Sequence, residues 1–347
     1  MIMEHTSNRI GFIDALRGFS MILVLYGHIE IFSLYGFHHD TVIGTIIMSF
    51  RMPLFFFISG FVLALSEKND FSLTKEISKK ARVLLVPTCI IGALYVILFC
   101  GADFISAIRN AAKFGYWFTF VSFEIFLIYF LLKRFKVGLG WAFLLGLVFY
   151  ALKLPLKLNP TLCEIGNVLS LHYLFEFFQF FVLGVICSKH KEMFFKRIQA
   201  GFPILLAIYI LLLYIKIAVI GFDFRSNLYL HIISTLNDWI LGYLGISIVL
   251  AIFKKYAPSF EKTTRCGRTL QYIGRRTLDI YLLHYFLLPS LPMVGDFFKL
   301  NPNLVLELTL GITLSLMVIG CCLLVSSILR TNDWIGYWLF GLKKVSK

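Results

Sequence analysis

The chain has 347 residues, of which 59% are hydrophobic and 17% aromatic, with a mean hydropathy of +0.83, far more apolar than the roughly 45–50% of a soluble globular protein. A formal charge of +14 would suggest nucleic acid in a soluble chain. Here Lys and Arg gather in alternate loops, as the positive-inside rule demands of membrane proteins, so nucleic acid is excluded as a partner. The seven cysteines show neither CxxC nor Cys/His spacing, which argues against a disulfide framework and against a metal site.

Ten stretches approach the length needed to cross about 30 Å of hydrocarbon: 14–36, 42–65, 83–101, 115–132, 138–152, 169–188, 202–221, 229–253, 270–294 and 303–329, the fifth being short. Alternate loops carry twenty-one Lys and Arg against six in the others, which predicts both termini in the cytoplasm. The opening MIMEHTSNRI lacks the basic region, short apolar core and cleavage site of a signal peptide. No repeat of 20–50 residues and no low-complexity linker divides the chain. The expectation is an all-α polytopic helix bundle: a single integral membrane domain over 1–347, with a core of about 9–330 and no appended soluble domain.

The first apolar stretch, Gly11 to Phe37, also carries Asp14, Arg17, His28 and Glu30. Eleven helical residues make almost three turns, so Arg17 and His28 share a face about 16 Å apart, with Asp14 one turn below Arg17. If Arg17 marks an interface, His28 lies near the bilayer midplane. Such a face belongs against protein or a cavity, and ionisable groups there point to function unless they merely pair with neighbouring helices.

In the second span, SFRMPLFFFISGF (49–61) places Arg51 near the middle and Pro53 two residues on. Proline removes a backbone donor, so a break or kink is expected. Arg51 then serves an anion site, pairs with Glu30, Glu124 or Asp279, or does both. In KKARVLLVP (79–87), Lys79 and Arg82 sit one turn apart, suited to the phosphates of a nucleotide-containing donor, although the positive-inside rule alone would place cations there. Glu124, in YWFTFVSFEIFLIYF (116–130), is a mid-span carboxylate that is either half of an ion pair or catalytic. His172 and Glu176 share a face of the sixth span near its outer end; they either bond to each other or contact a polar acceptor. Lys216, His231 and Asp238 are weaker cases. In YIGRRTLDIYLLHYFLLP (272–289), Arg275 and Asp279 are spaced to pair along one helix. Arg275 and Arg276 occupy its first turns, again suited to phosphate. Tyr281 and His284 share a face deeper in, where His284 could meet His28, though a lone histidine is more often structural.

No P-loop, GxGxxG, HExxH or GxSxG is present, which removes ATP hydrolysis, dinucleotide cofactors and the hydrolase triad. A transporter or flippase for a polar or lipid-linked substrate would also show many spans, midplane charges and a proline-interrupted helix, but no inverted repeat is visible. A membrane glycosyltransferase would favour larger, acidic external loops.

With Asp14-Ala-Leu-Arg17-Gly18, the Arg17-x10-His28 spacing, FRMPLFFFISGF, KKARVLLVP and LDIYLLHYF in view, the chain resembles the acyltransferase-3 family of integral membrane O-acyltransferases from about Arg9 to Arg330. The resemblance implies transfer of an acyl group, commonly acetyl from cytoplasmic acetyl-coenzyme A, to a hydroxyl of a cell-surface or exported carbohydrate, possibly lipid-linked, in a bacterial inner membrane. It implies no tightly bound cofactor, the acyl-coenzyme A being a substrate. By position, His28 corresponds to the essential histidine and Arg17 to the basic residue of the motif. Physically, Arg17, Lys79, Arg82, Arg275 and Arg276 would hold the phosphates of coenzyme A. His28 would act as general base, with Arg51 at the oxyanion, and Glu124 and His284 as further catalytic candidates. Asp14 and Asp279 would support them. Direct transfer and a transient acyl-histidine both stay open. Two departures stand out. Many members carry an R-x-x-R where this chain has Lys79 and Arg82, so the bidentate fork is lost at the first position. The family often has His before the Trp of the fourth span, where this chain has Tyr116.

Overall fold

The computed structural model describes residues 10–35, 41–67, 71–220 and 228–341, and among them every regular element is helical. The end of the first stretch at residues 36–37, Lys68, Arg225 and the tail lysines 343, 344 and 347 lie outside the described residues, as does the N-terminal segment 1–9.

In chain order, α1 (Gly11–His28) continues directly into a π-helical turn, Ile29–Tyr35, and α2 is Val42–Leu65. Helix α3 (Leu73–Lys80) passes through a π turn (Ala81–Leu85) into α4 (Val86–Tyr95) and a second π turn, Val96–Cys100. Then come α5 (Phe104–Arg109), α6 (Trp117–Arg134), α7 (Leu139–Leu158), α8 (Pro160–Val168), α9 (Leu171–Lys189) and α10 (Lys191–Ala200). Helix α11 (Phe202–Tyr214) ends in a π turn (Ile215–Ile220), and α12 is Leu228–Lys255. The remainder comprises α13 (Arg265–Arg275), α14 (Thr277–Leu283), α15 (Pro292–Leu300), α16 (Leu304–Leu329) and α17 (Asp333–Phe340).

Eight of the predicted spans are helices long and apolar enough to cross a membrane: Gly11–Leu34, Val42–Leu65, Leu73–Cys100, Leu139–Leu158, Leu171–Lys189, Phe202–Ile220, Tyr229–Lys255 and Leu304–Leu329. The short fifth prediction, 138–152, lengthens to twenty residues and passes through Pro155. The other two predictions differ in character. The 115–132 stretch is helix α6, eighteen residues long and carrying Glu124, Lys133 and Arg134. The 270–294 stretch is not one helix: α13 stops at Arg275, α14 runs seven residues, a 3-10 turn covers His284–Phe286, and helix resumes at Pro292. Prolines 289 and 292 supply no backbone donors, and such a broken segment survives at membrane depth only inside protein. Tyr281, His284 and Tyr285 are indeed buried. The break expected at Pro53 does not occur, since α2 is continuous through it.

Exposed apolar side chains such as Ile97, Leu98, Trp141, Val305 and Met317 would be anomalous in water and are ordinary against lipid. The contacts divide the chain into two compact units. The first comprises Met1–Ser66, Cys187–Thr277 and Leu288–Ile319; the second comprises Glu67–Ile186, Leu278–Leu287 and Gly320–Lys347.

In the first unit, α1 crosses α13 with backbone against backbone. A Cβ on Gly18 or Gly274 would strike the carbonyl oxygen of Leu270 or Asp14, respectively, the close approach that small residues permit. In the second unit, α3 and α6 pack together, with the Lys80 ammonium 3.6 Å above the Phe126 ring and Lys133 paired to Glu67 at 3.0 Å. The C-terminal α17, which the hydropathy pattern does not announce, places Tyr337 under the Arg82 guanidinium at 4.6 Å.

Candidate functional site

Helix α1 is regular from Gly11 to His28, so the predicted face exists. Asp14, Arg17 and His28 are each half-buried on a helix whose other residues are mostly buried. The π turn begins one residue after His28. Insertions of this kind, often found at functional sites, replace i→i+4 bonds with wider ones and re-aim the following side chains. Its ending is tied down from α15's side, where the Leu291 amide donates to the Ser33 carbonyl at 2.9 Å. The His28 ring meets Phe32 edge-to-face at 5.7 Å.

Two polar groups join this junction. Glu30 is 5% exposed and accepts a hydrogen bond from the Thr41 hydroxyl. Thr41 is also the N-cap of α2, its Oγ1 accepting from the Gly44 amide at 2.8 Å. A carboxylate at a helix N-terminus is favoured by the helix dipole. Arg51, 8% exposed, lies against α1: Nη1 is 3.5 Å from the Val24 carbonyl. The guanidinium fills the space that a Cβ at residue 27 would need. Gly27 therefore lets a buried cation press on the α1 backbone one residue before His28.

At the other end of the same face, Arg17 Nη2 is 3.4 Å from the Thr277 hydroxyl. Arg275, exposed, closes α13 two residues earlier, and the Arg276 guanidinium lies 5.7 Å over Tyr272. The first unit thus gathers Arg17, Arg275 and Arg276 at one end of α1, with His28 and Arg51 about three turns away.

The remaining catalytic and donor-binding candidates fall in the second unit. Lys79 is exposed at the end of α3, and Arg82 stacks on Tyr337. Glu124 is half-buried, with Oε2 shielded from solvent and lacking a hydrogen-bond partner. Asp279 does not pair along a helix with Arg275, because the helix breaks between them. Its carboxylate is held instead by Arg330, with Nε to Oδ2 at 2.9 Å and Nη2 to Oδ1 at 2.8 Å, and by the Ser326 hydroxyl. Neither partner was suggested by local spacing, since both lie about fifty residues downstream. His284 is fully buried. Its Nδ1 faces the Tyr281 carbonyl at 2.7 Å and the Ile280 carbonyl at 3.2 Å. Two acceptors there assign the proton to Nδ1, which leaves Nε2 as the basic nitrogen.

Around His284 stands an aromatic clasp that the sequence pattern did not reveal. Tyr116, the departure from the family pattern, donates to the Leu282 carbonyl at 2.9 Å. Tyr281 donates to the Gly115 carbonyl at 2.9 Å and accepts from the Phe118 amide at 3.1 Å. The clasped segment has three successive positive φ values, at Lys113, Phe114 and Gly115. His172 and Glu176 do not bond to each other as the spacing favoured: Glu176 pairs with Lys153, and His172 Nε2 approaches Cys163 Sγ at 3.9 Å. Lys216 and Asp238 form an ion pair within the first unit. Among the described residues, no three His, Cys, Asp or Glu side chains converge as metal ligands.

No curated protein and no solved structure matches the chain. A family model described as an acyltransferase domain matches residues 10–329, taking in every helix from α1 to α16. On that match, and with its apolar helices, the chain is a multi-pass membrane acyltransferase belonging to the acyltransferase-3 family.

Proposed function

We propose that the protein transfers acetyl from acetyl-coenzyme A on the cytoplasmic side of a bacterial inner membrane to a hydroxyl of a cell-surface or exported carbohydrate. The observation that carries this reading is the polarity of α1. Arg17, Arg275 and Arg276 gather at one end, while His28 and the buried Arg51 stand at the other.

Three guanidinium groups suit the phosphates of coenzyme A, which they can grip bidentately. The long arm of the donor then runs along α1 and brings its thioester to His28. Lys79 and Arg82 are the second unit's own basic candidates for donor phosphates; Asp14 is the supporting carboxylate of α1, and Asp279 holds Arg330. His28 takes the proton from the acceptor hydroxyl as its oxygen attacks the thioester carbonyl. A C–O bond forms, the C–S bond breaks, and the proton passes to the departing sulfur. Arg51 offsets the charge that develops on the carbonyl oxygen, in a setting of low dielectric where such an interaction is strong. An acyl-histidine variant of the same route uses the same residues. Glu124 and His284 are the second unit's candidates for moving protons.

Purified protein in nanodiscs, titrated with acetyl-, succinyl- and longer acyl-coenzyme A, tests the reading. Stabilisation by acetyl-coenzyme A that needs Arg17 but survives His28→Ala supports separate donor-holding and catalytic roles. Full coupling of donor consumption to product in His28→Ala removes His28 from the mechanism.

A further inference from the structure

Helix α15 belongs to the first unit, as do α1 and its π turn, and the chemistry above makes no use of it. Its nine residues, Pro292–Leu300, rise about 14 Å, less than half of the roughly 30 Å of hydrocarbon that a span must cross. At about 100° per residue, its side chains fall into three sectors. Val294, Gly295 and Phe298 face the protein. Phe298 joins Ile29 and Leu34 in one buried cluster on which Val294 packs, and a Cβ on Gly295 would strike the Leu34 carbonyl oxygen. Asp296 and Lys299 make a polar sector, paired at 2.9 Å and both exposed. Met293, Phe297 and Leu300 make the third, about 60° wide, and are 86%, 52% and 81% exposed.

A bare apolar sector is a liability in water, and a charged one is costly in hydrocarbon. The two side by side suit a helix lying in the membrane interface, its apolar side sunk to the boundary of headgroups and acyl chains. The chain beyond α15 marks the same boundary. Asn301 Nδ2 donates to the Phe297 carbonyl at 3.3 Å, and Asn303 Oδ1 accepts from the Leu306 amide at 3.0 Å. Polar side chains thus close one helix and open the next. Leu304 and Val305, at the start of the candidate span Leu304–Leu329, are exposed again, so exposed apolar residues run on from Leu300 into α16. The rise from Arg17 to Ser33, whose carbonyl the Leu291 amide holds, is about 24 Å. Helix α15 therefore stands at the membrane surface opposite Arg17.

We infer that α15 is an interfacial helix, with Met293, Phe297 and Leu300 seated at the headgroup–acyl boundary of the leaflet opposite Arg17. The partner this face fits is the lipid surface itself. The inference does not depend on the acyl-transfer reading. Its consequence is mechanical: α15 grips Ser33 and Leu34, so its seat in the lipid holds the π turn that begins one residue after His28.

The test uses the full chain in phosphatidylcholine proteoliposomes, with photoreactive p-benzoylphenylalanine placed at Phe297, Leu300 or Lys299 in turn. Illumination should add the mass of one phospholipid at 297 and at 300, and far less at 299. Equal yield at 299, a covalent dimer of the chain in place of the lipid adduct, or no adduct at either 297 or 300 overturns the inference. Phe297→Asp then puts a charge into the apolar sector. Amide exchange in Ile29–Tyr35 should rise about tenfold, as losing the anchoring of one apolar side chain predicts, while exchange in α13 stays as in wild type and Phe297→Leu changes neither. Leu300→Gln makes the same comparison at the helix end if Phe297→Asp loosens α13 as well. Unchanged exchange in Ile29–Tyr35 where the lipid adduct is lost shows that the membrane surface does not hold the turn, and overturns that link.

Discussion

The α1 face of the first unit and the α14 clasp of the second treat their polar groups differently. In the first, Arg17 and His28 are half-buried and Arg275 is exposed, spread along one face of α1 and the end of α13. In the second, Asp279 is gripped at both oxygens by Arg330, His284 is fully buried on two carbonyls, and Tyr116 and Tyr281 are tied to backbone. Polar groups fixed at every atom hold a shape. Groups that keep access can exchange partners during a reaction. The contrast separates accessible groups on α1 from tied groups in the α14 clasp, and it can be broken experimentally.

The largest effect is expected at His28. His28→Ala should lower acyl transfer by about 10²–10⁴-fold, the range for a positioned general base, while acetyl-coenzyme A still raises the melting temperature. His284→Ala, by contrast, should cost stability before activity. If the two variants behaved alike in both measurements, the division between the units would fail.

The ion pair of the second unit comes next. Arg330→Met leaves a buried carboxylate without its bidentate partner, which should cost about 3–5 kcal/mol in reversible unfolding of nanodisc protein. Arg330→Met combined with Asp279→Leu should recover much of that loss, because removing both charges removes the desolvation penalty too. Failure of the double variant to recover would mean that Asp279 does more than hold α14 to the end of α16.

Gly27→Ala probes the other unit with a single methyl group. That methyl occupies the place of the Arg51 guanidinium, so either Arg51 or α1 must move. Overpacking of this kind costs typically about 1–3 kcal/mol. Since Gly27, where Arg51 presses on α1, adjoins His28 in the chain, kcat should fall more than the KM for donor rises. A loss confined to KM would place Arg51 in donor binding instead of at the reacting carbonyl.

These comparisons also show what was legible in the sequence. Helical class, the order of the spans and the shared face of Arg17 and His28 follow from hydropathy and a period of 3.6, which depend on near neighbours in the chain. The family match over 10–329 accords with motifs read from the same segments. Partners separated by many residues were not legible. Asp279 was paired with Arg275 by local spacing, yet its ligand is Arg330, counted only as a basic residue of the tail. Glu176 was set against His172 for the same reason, while Lys153 takes it. The π turn after His28 has no composition signature, since it arises from how α1, α2 and the α15 region fit together. The break inside 272–289 was not legible: continuous hydropathy argues for one helix, and the one proline of that stretch, Pro289, stands at its end.

The smallest effects discriminate between the two basic residues of KKARVLLVP. Lys79 is exposed and Arg82 rests on Tyr337. Lys79→Ala should leave stability within about 0.5 kcal/mol of wild type, as for most surface changes, whereas Arg82→Ala should lose about 0.5–1 kcal/mol with its cation–π contact. If the two cooperate in holding donor phosphates, both variants raise the KM for acetyl-coenzyme A. The effect of Lys79 then shrinks with added salt more than that of Arg82, because an exposed ammonium is the better screened of the two. A donor KM insensitive to either change would confine phosphate binding to Arg17, Arg275 and Arg276. It would make the lysine in place of the first arginine of R-x-x-R a substitution without consequence for the donor.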